Sequence, residues 1–219
     1  MIVEKQERPK VVIPEGKVVY LTFDDGPGPY TDQLLDVLKA NDVKATFFVV
    51  GDHYGKTMKR IVDEGHSIGV HSITHNYQEI YASPEAYFAD ILGMQEIIYR
   101  NTGVRTTLMR FPGGSSNLVS SFNKGIMTYL TEAVQDAGFQ SFDWNVDSND
   151  AGGAKSADEV FNNVTDGISK HKTSVVLQHD IHPFSVKAVE RIIQWGKAHG
   201  YTFLPLQPDS YGARHGVNN

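Results

Sequence analysis

The chain has 219 residues, 40% of them hydrophobic, with 20 Lys and Arg against 26 Asp and Glu, for a formal net charge of −6. This length and composition support one domain with a sizeable core, and an acidic balance without any Lys/Arg cluster argues against a nucleic-acid partner. With no cysteine, disulfides and thiolate metal sites are excluded; no apolar run reaches membrane-spanning length, and the polar start after Met1 shows no signal peptide.

Residues 18–21 are an apolar run that reads as a buried strand, and it leads into Thr22-Phe23-Asp24-Asp25-Gly26-Pro27, which closes on a Gly-Pro turn signal. Residues 31–40 set Leu34, Leu35 and Leu38 at helical spacing, and 45–50 form a short apolar strand. A helix over 56–64 turns Met58, Ile61 and Val62 inward and stops at Gly65, and 67–70 is a third strand leading into His71. Ser83-Pro84-Glu85 opens the longest helix by cap chemistry, with Pro at the first helical position, and it runs to Asn101 before Gly103.

Residues 108–111 are strand-like and end at Pro112-Gly113-Gly114; 125–137 are helical, closed by Gly138, and 139–146 are the next strand. Ser156 and Glu159 offer a capping box for a helix to Lys170. A strand over 174–178, a helix over 186–199 ended by Gly200 and a last strand over 201–206 complete the series. Apolar strands alternating with helices imply a parallel α/β sheet covered by helices, and about seven such units fit a closed barrel better than an open doubly wound sheet. There is no GxGxxG after the first strand and no Walker loop. The ends, 1–16 and 208–219, read as extended wrapping or loose ends.

In a parallel barrel, chemistry sits at the C-terminal ends of the strands, and the residues suited to chemistry fall there. Adjacent Asp24 and Asp25 at the end of a buried strand are costly unless compensated. A divalent metal would compensate them, with one carboxylate as ligand and the other free as a base; shaping a turn is the alternative. His71 and His75 are an i, i+4 pair that one turn of helix would set on one face, where two imidazoles and a carboxylate leave open metal positions for water and substrate. Arg110, before the Pro-Gly-Gly turn, is either a snorkelling surface residue or a bidentate brace for a carboxylate. The Gly113 and Gly114 amides are unobstructed and suited to an oxyanion. His179 is either a core histidine or a general acid, and His53, His66, His171, His182, His199 and His215 read as structural or solvated.

These motifs occur in the order found in the polysaccharide deacetylase family, the NodB homology domain of carbohydrate esterase family four, which the chain resembles from Val18 to Leu206. They are Thr-Phe-Asp-Asp-Gly-Pro at 22–27, His-Ser-x-x-His at 71–75, Arg-Phe-Pro-Gly-Gly at 110–114, the Asp-rich run at 143–150 and Leu-Gln-His at 177–179. The resemblance implies an irregular (β/α)7-type barrel related to the TIM barrel, with a catalytic domain at 17–207 between an N-terminal extension and a C-terminal tail. It implies a metal-dependent hydrolase that removes N-acetyl groups from an acetylated glycan. Asp25, His71 and His75 would bind the metal, Zn2+ first and Co2+ as an alternative. Asp24 would be the base, held by Arg110, and His179 the acid, backed by Asp150. Gly113 would serve the oxyanion and Leu177 the acetyl pocket.

The chain departs from many members at Ala151, where they carry Trp; Trp144 is the aromatic candidate near that wall. The form of the 110–114 motif resembles bacterial cell-wall N-acetylglucosamine deacetylases, which makes peptidoglycan the leading substrate. An O-acetyl esterase of the xylan type and a glycan-binding module without turnover are the alternatives. A polymer substrate implies an extracytoplasmic location, with no signal or anchor in this sequence.

Overall fold

The computed structural model describes residues 9–219, so positions 1–8 of the N-terminal extension lie outside the described residues. In chain order the elements are β1 (Lys17–Asp24), α1 (Thr31–Ala40), β2 (Thr46–Val50), α2 (Gly55–Asp63), β3 (Ser67–Ser72), the single turn α3 (Tyr77–Ile80), α4 (Pro84–Thr102), β4 (Leu108–Met109), α5 (Ile126–Asp136), β5 (Gln140–Ser141), β6 (Val146–Asp147), α6 (Ala157–Ile168), β7 (Thr173–His179), α7 (Pro183–Ala198) and β8 (Tyr201–Phe203). The long helix starts where its cap chemistry places it. Ser83 accepts the Ala86 amide, Pro84 follows, and Gly103 ends the helix at φ 79°.

Every pairing is parallel. β1 lies at the centre and pairs over almost its whole length with β7, from Val18↔Thr173 to Asp24↔His179. Its other edge is divided, with β8 beside Lys17–Val19 and β2 beside Thr22–Asp24. From β2 the sheet continues through β3 and β4 to β5, and from β7 to β6, giving an eight-stranded curled sheet wrapped by helices. This is the irregular (β/α)7-type barrel expected.

The strand expected over 139–146 is instead two short strands. The segment changes partner midway: Phe142 N donates to Met109 O on one side, and Asn145 N donates to Val175 O on the other. Asn145 adds two side-chain bonds across the crossing, donating to Thr173 O at 3.0 Å and accepting from Val175 N at 2.7 Å. The side chain thus takes the place of ladder bonds where the ring closes.

Side-chain alternation divides the interior into two cores. Val19, Leu21 and Phe23 of β1 face the helices, where Leu34, Leu38, Val189 and Ile193 join the larger core. Val18 and Tyr20 face the lumen and pack with Phe48, Leu108, Phe142, Val175, Leu206 and Ala213. The lumen is tight enough to require Gly69, where a Cβ would lie 2.7 Å from the Phe48 ring and 3.1 Å from Leu108 O. Above this apolar floor the same inward face continues with Thr22 and Asp24 on β1 and with Leu177 and His179 on β7. Chemistry therefore begins where the apolar packing stops.

The tail wraps the barrel. Ala213 O accepts the Asp143 amide, and Asn219 O accepts the Thr128 amide at 2.7 Å. Residue Val12 forms an isolated parallel bridge with Ser210. Among the described residues no helix is long and apolar enough to cross a membrane.

Candidate active site

Asp24 ends β1, and Asp25 steps out of the strand at φ 69°, so the two carboxylates diverge. Asp25 Oδ1 lies 3.4 Å from Nε2 of both His71 and His75. It is buried with no hydrogen-bond partner among the described residues. Burial works to raise the Asp25 pKa, but the facing His71, His179 and His75 rings outweigh it and hold the carboxyl below the usual range.

The two histidines do not share a helix face. His71 lies in β3 and His75 in the turn after it, at φ 54°. The Ser72 hydroxyl captures the amides that a helix would have used, accepting Thr74 N at 3.2 Å and His75 N at 2.9 Å. His71 Nδ1 lies 2.8 Å from Arg110 O, which fixes that nitrogen as the donor and turns Nε2 towards Asp25. Asp25, His71 and His75 offer ligand atoms within 4.8 Å of one another. Two imidazole nitrogens and an unpaired carboxylate oxygen fit a divalent transition-metal ion.

Arg110 is wholly buried and is no surface residue. Its Nη1 donates to Asp24 Oδ1 at 2.8 Å and to Thr22 Oγ1 at 2.6 Å, Nε to Phe142 O at 2.8 Å, and Nη2 to Asp143 O at 3.0 Å. The Phe48 ring lies 4.4 Å beneath the guanidinium. Every arm of the fork is used, and one of them holds Asp24 with Oδ2 3.8 Å from His71 Nε2.

The other end of the site is built on β7. His179 Nδ1 and Asp150 Oδ1 are 2.7 Å apart, and His179 Nε2 lies 3.8 Å from Asp25 Oδ2. Ser185, at the start of α7, donates to Asp150 Oδ2 at 2.5 Å. Burial would lower the His179 pKa, but the hydrogen bond and charge of Asp150 prevail and raise it to about 9. This is the arrangement a proton donor to a leaving amine needs.

Gly113 forms the exposed tip of its turn at φ 77°, and its amide donates to no protein acceptor among the described residues. Leu177 is buried on the lumen face of β7, in register with Thr22. Trp144 is half-buried, 5.6 Å from the Arg110 guanidinium, and close enough to Gly114 that a Cβ there would lie 2.9 Å from the indole. Ala151 is exposed.

Sequence reasoning missed several supports. Thr22 shares Arg110, and Ser185 orients Asp150. Thr31 donates to the buried Asp180 at 2.5 Å and accepts the Gly28 amide at 2.7 Å, tying down the turn after Asp25. Burial raises the Asp180 pKa to about 7. His215 lies 2.7 Å from Trp144 O through Nε2 and donates its amide to Asp143, bonds compatible with its reading as structural. Two of them carried a signal: Thr22 opens the motif at 22–27, and Asp180 is a carboxylate directly after a strand-end histidine.

The sequence profile of the polysaccharide deacetylase family matches residues 12–139. A peptidoglycan-N-acetylglucosamine deacetylase of Bacillus cereus is 39% identical over 209 residues, covering 90% of this chain and 72% of that protein. The crystal structure of the catalytic domain of a peptidoglycan N-acetylglucosamine deacetylase from Eubacterium rectale superposes with a TM-score of 0.94 at 50% identity, covering 96% of this chain and 97% of that one. A polysaccharide deacetylase from Bacillus cereus gives a TM-score of 0.77 at 36% identity, covering 90% and 96%. With the same barrel and the strand-end residues already described, this chain belongs to the polysaccharide deacetylase family.

Proposed function

We propose that the protein is a zinc-dependent N-deacetylase acting on N-acetylglucosamine residues of peptidoglycan, outside the cytoplasmic membrane. The observation that carries this reading is the grouping of Asp25, His71 and His75 between an Arg110-held Asp24 and an Asp150-held His179. The substrate follows from the relatives, which are peptidoglycan N-acetylglucosamine deacetylases.

Asp25, His71 and His75 would hold Zn2+, or Co2+ in its place, and the cation supplies Lewis-acid charge that activates water and polarises an acyl carbonyl. Asp24, fixed by Arg110, takes a proton from the attacking water. The free Gly113 amide donates to the oxygen on which negative charge develops. His179, kept protonated by Asp150, gives its proton to the departing nitrogen, so that the amide and water become acetate and a free amine. Leu177 and Trp144 border the space for the acetyl group.

The test is acetate release from N-acetylglucosamine oligomers and from peptidoglycan, before and after chelation and with zinc or cobalt restored. Release that chelation abolishes and metal restores supports the reading. No release from any N-acetylated glycan, with metal bound, overturns it. A His179→Ala variant that kept most of its activity would point to an ester substrate, whose leaving group needs less protonation.

A further inference from the structure

Helix α4 carries two residues that its own stability does not ask for. Asp90 is buried in the helix, only 9% exposed. Gly93, three positions on, is a destabilising residue for a helix interior. Both serve the turn that joins His71 to His75. Asp90 Oδ1 accepts the Ile73 amide at 3.0 Å. A Cβ on Gly93 would lie 2.6 Å from Ile73 Cδ1. The helix therefore binds the Ile73 backbone at one position and opens for its side chain at the other.

Ile73 sits midway between the two imidazoles. Ile73 is half-buried against the core, and a hollow of about 300 Å3 opens beside Ile73, Thr74 and Asp90. The backbone also has a reason to leave its present shape, since His75 is kept in the left-handed region at φ 54°. The Ser72 hydroxyl accepts two amides within the turn, and the hydrogen bond that ties the Ile73 amide to the rest of the protein comes from α4.

We propose that Asp90 and Gly93 are positioning residues that hold the His71–His75 turn in its metal-binding shape, so that α4 sets the affinity of the site for its divalent cation. The inference rests on the reading that Asp25, His71 and His75 hold that cation. Asp90→Ala strands the Ile73 amide, whereas Asp90→Asn keeps an acceptor for it. Gly93→Ala pushes on Cδ1 of Ile73, and Ile73→Val removes that atom.

Zinc affinity is measured on the purified full chain by competition with a chromogenic chelator, with circular dichroism of the metal-free protein to verify folding. Asp90→Ala and Gly93→Ala are expected to weaken zinc binding about 10- to 100-fold, the usual effect of losing a group that orients a metal ligand. Asp90→Asn retains most of the affinity, and Gly93→Ala/Ile73→Val recovers what Gly93→Ala loses. A merely structural role would lower stability in the single variants without this selective recovery. Affinities of folded Asp90→Ala and Gly93→Ala within twofold of the parent overturn the proposal, as does a double variant no tighter than Gly93→Ala. Should Asp90→Ala not fold, the Gly93/Ile73 pair decides alone. A parent protein that binds no zinc fails at the earlier reading, and that outcome is visible before any variant is compared.

Discussion

Asp150 holds His179 at two points: Oδ1 lies 2.7 Å from Nδ1 of the ring, and Oδ2 accepts the backbone amide of the same residue at 2.7 Å. The carboxylate thus fixes the ring, its protonation and the end of β7 in one contact. Asp150→Asn keeps the shape and removes the charge that supports the imidazolium. Its kcat is expected to fall by about 10²-fold or more, the range for loss of an acid–base partner, with KM little changed. Steady-state acetate release from an N-acetylglucosamine oligomer measures both constants.

Arg110 is a structural residue as much as a site residue. Arg110→Met would leave Asp24 buried beside unpaired carbonyls, and removing one partner of a buried pair costs about 3–5 kcal/mol. Arg110→Lys keeps the charge but cannot reach four acceptors with one ammonium. Urea unfolding should rank the parent above Arg110→Lys and Arg110→Met last. Equal midpoints for all three would mean that the fork carries no stability.

His66 makes the fold sensitive to acid. It is buried, and its Nδ1 accepts the Ala45 amide at 3.1 Å, so the folded chain uses the neutral ring. Burial first, and the Lys44 and Arg60 charges after it, lower its pKa from 6.5 to about 4. Between those values the unfolded chain binds a proton that the folded chain refuses, so stability falls as pH falls through this window. From pH 7 to pH 5 the parent should lose about 2 kcal/mol more than His66→Asn, whose amide oxygen can accept from Ala45 and does not titrate. Urea midpoints at the two pH values give the comparison, and parallel losses would refute it.

Gly69 tests the floor of the lumen. Gly69→Ala forces a methyl against the Phe48 ring and is expected to cost about 1–3 kcal/mol. Phe48→Leu in the same chain should return part of that loss, as read from thermal unfolding. A Gly69→Ala protein as stable as its parent would mean that the ring has room to move.

Much of the site could be read from the sequence because strand ends announce themselves. Asp24, His71, Arg110 and His179 each close or follow an apolar run, and a parallel barrel gathers such positions at one end. The failures share a cause: a polar side chain took over work expected of the backbone. Ser72 claimed two amides and turned an i, i+4 pair away from helix. Asn145 crossed the seam at 142–145 and split one strand into two. The supporting residues Ser185, Thr31 and Asp90 were hidden for a different reason. Each reaches the site from a helix packed behind it, and the amphipathic spacing of a helix does not reveal which buried position carries a hydrogen bond to a distant turn.

Among the described residues, the apolar filling of the lumen closes the barrel below the site. Below Thr22 the bore is occupied by Tyr20, Phe48, Phe142 and Val175, and Leu206 and Ala213 fill it further from the tail. Acetate formed in the proposed reaction would then depart by the mouth that the glycan occupies, and added acetate is expected to raise the apparent KM for the glycan in the release assay.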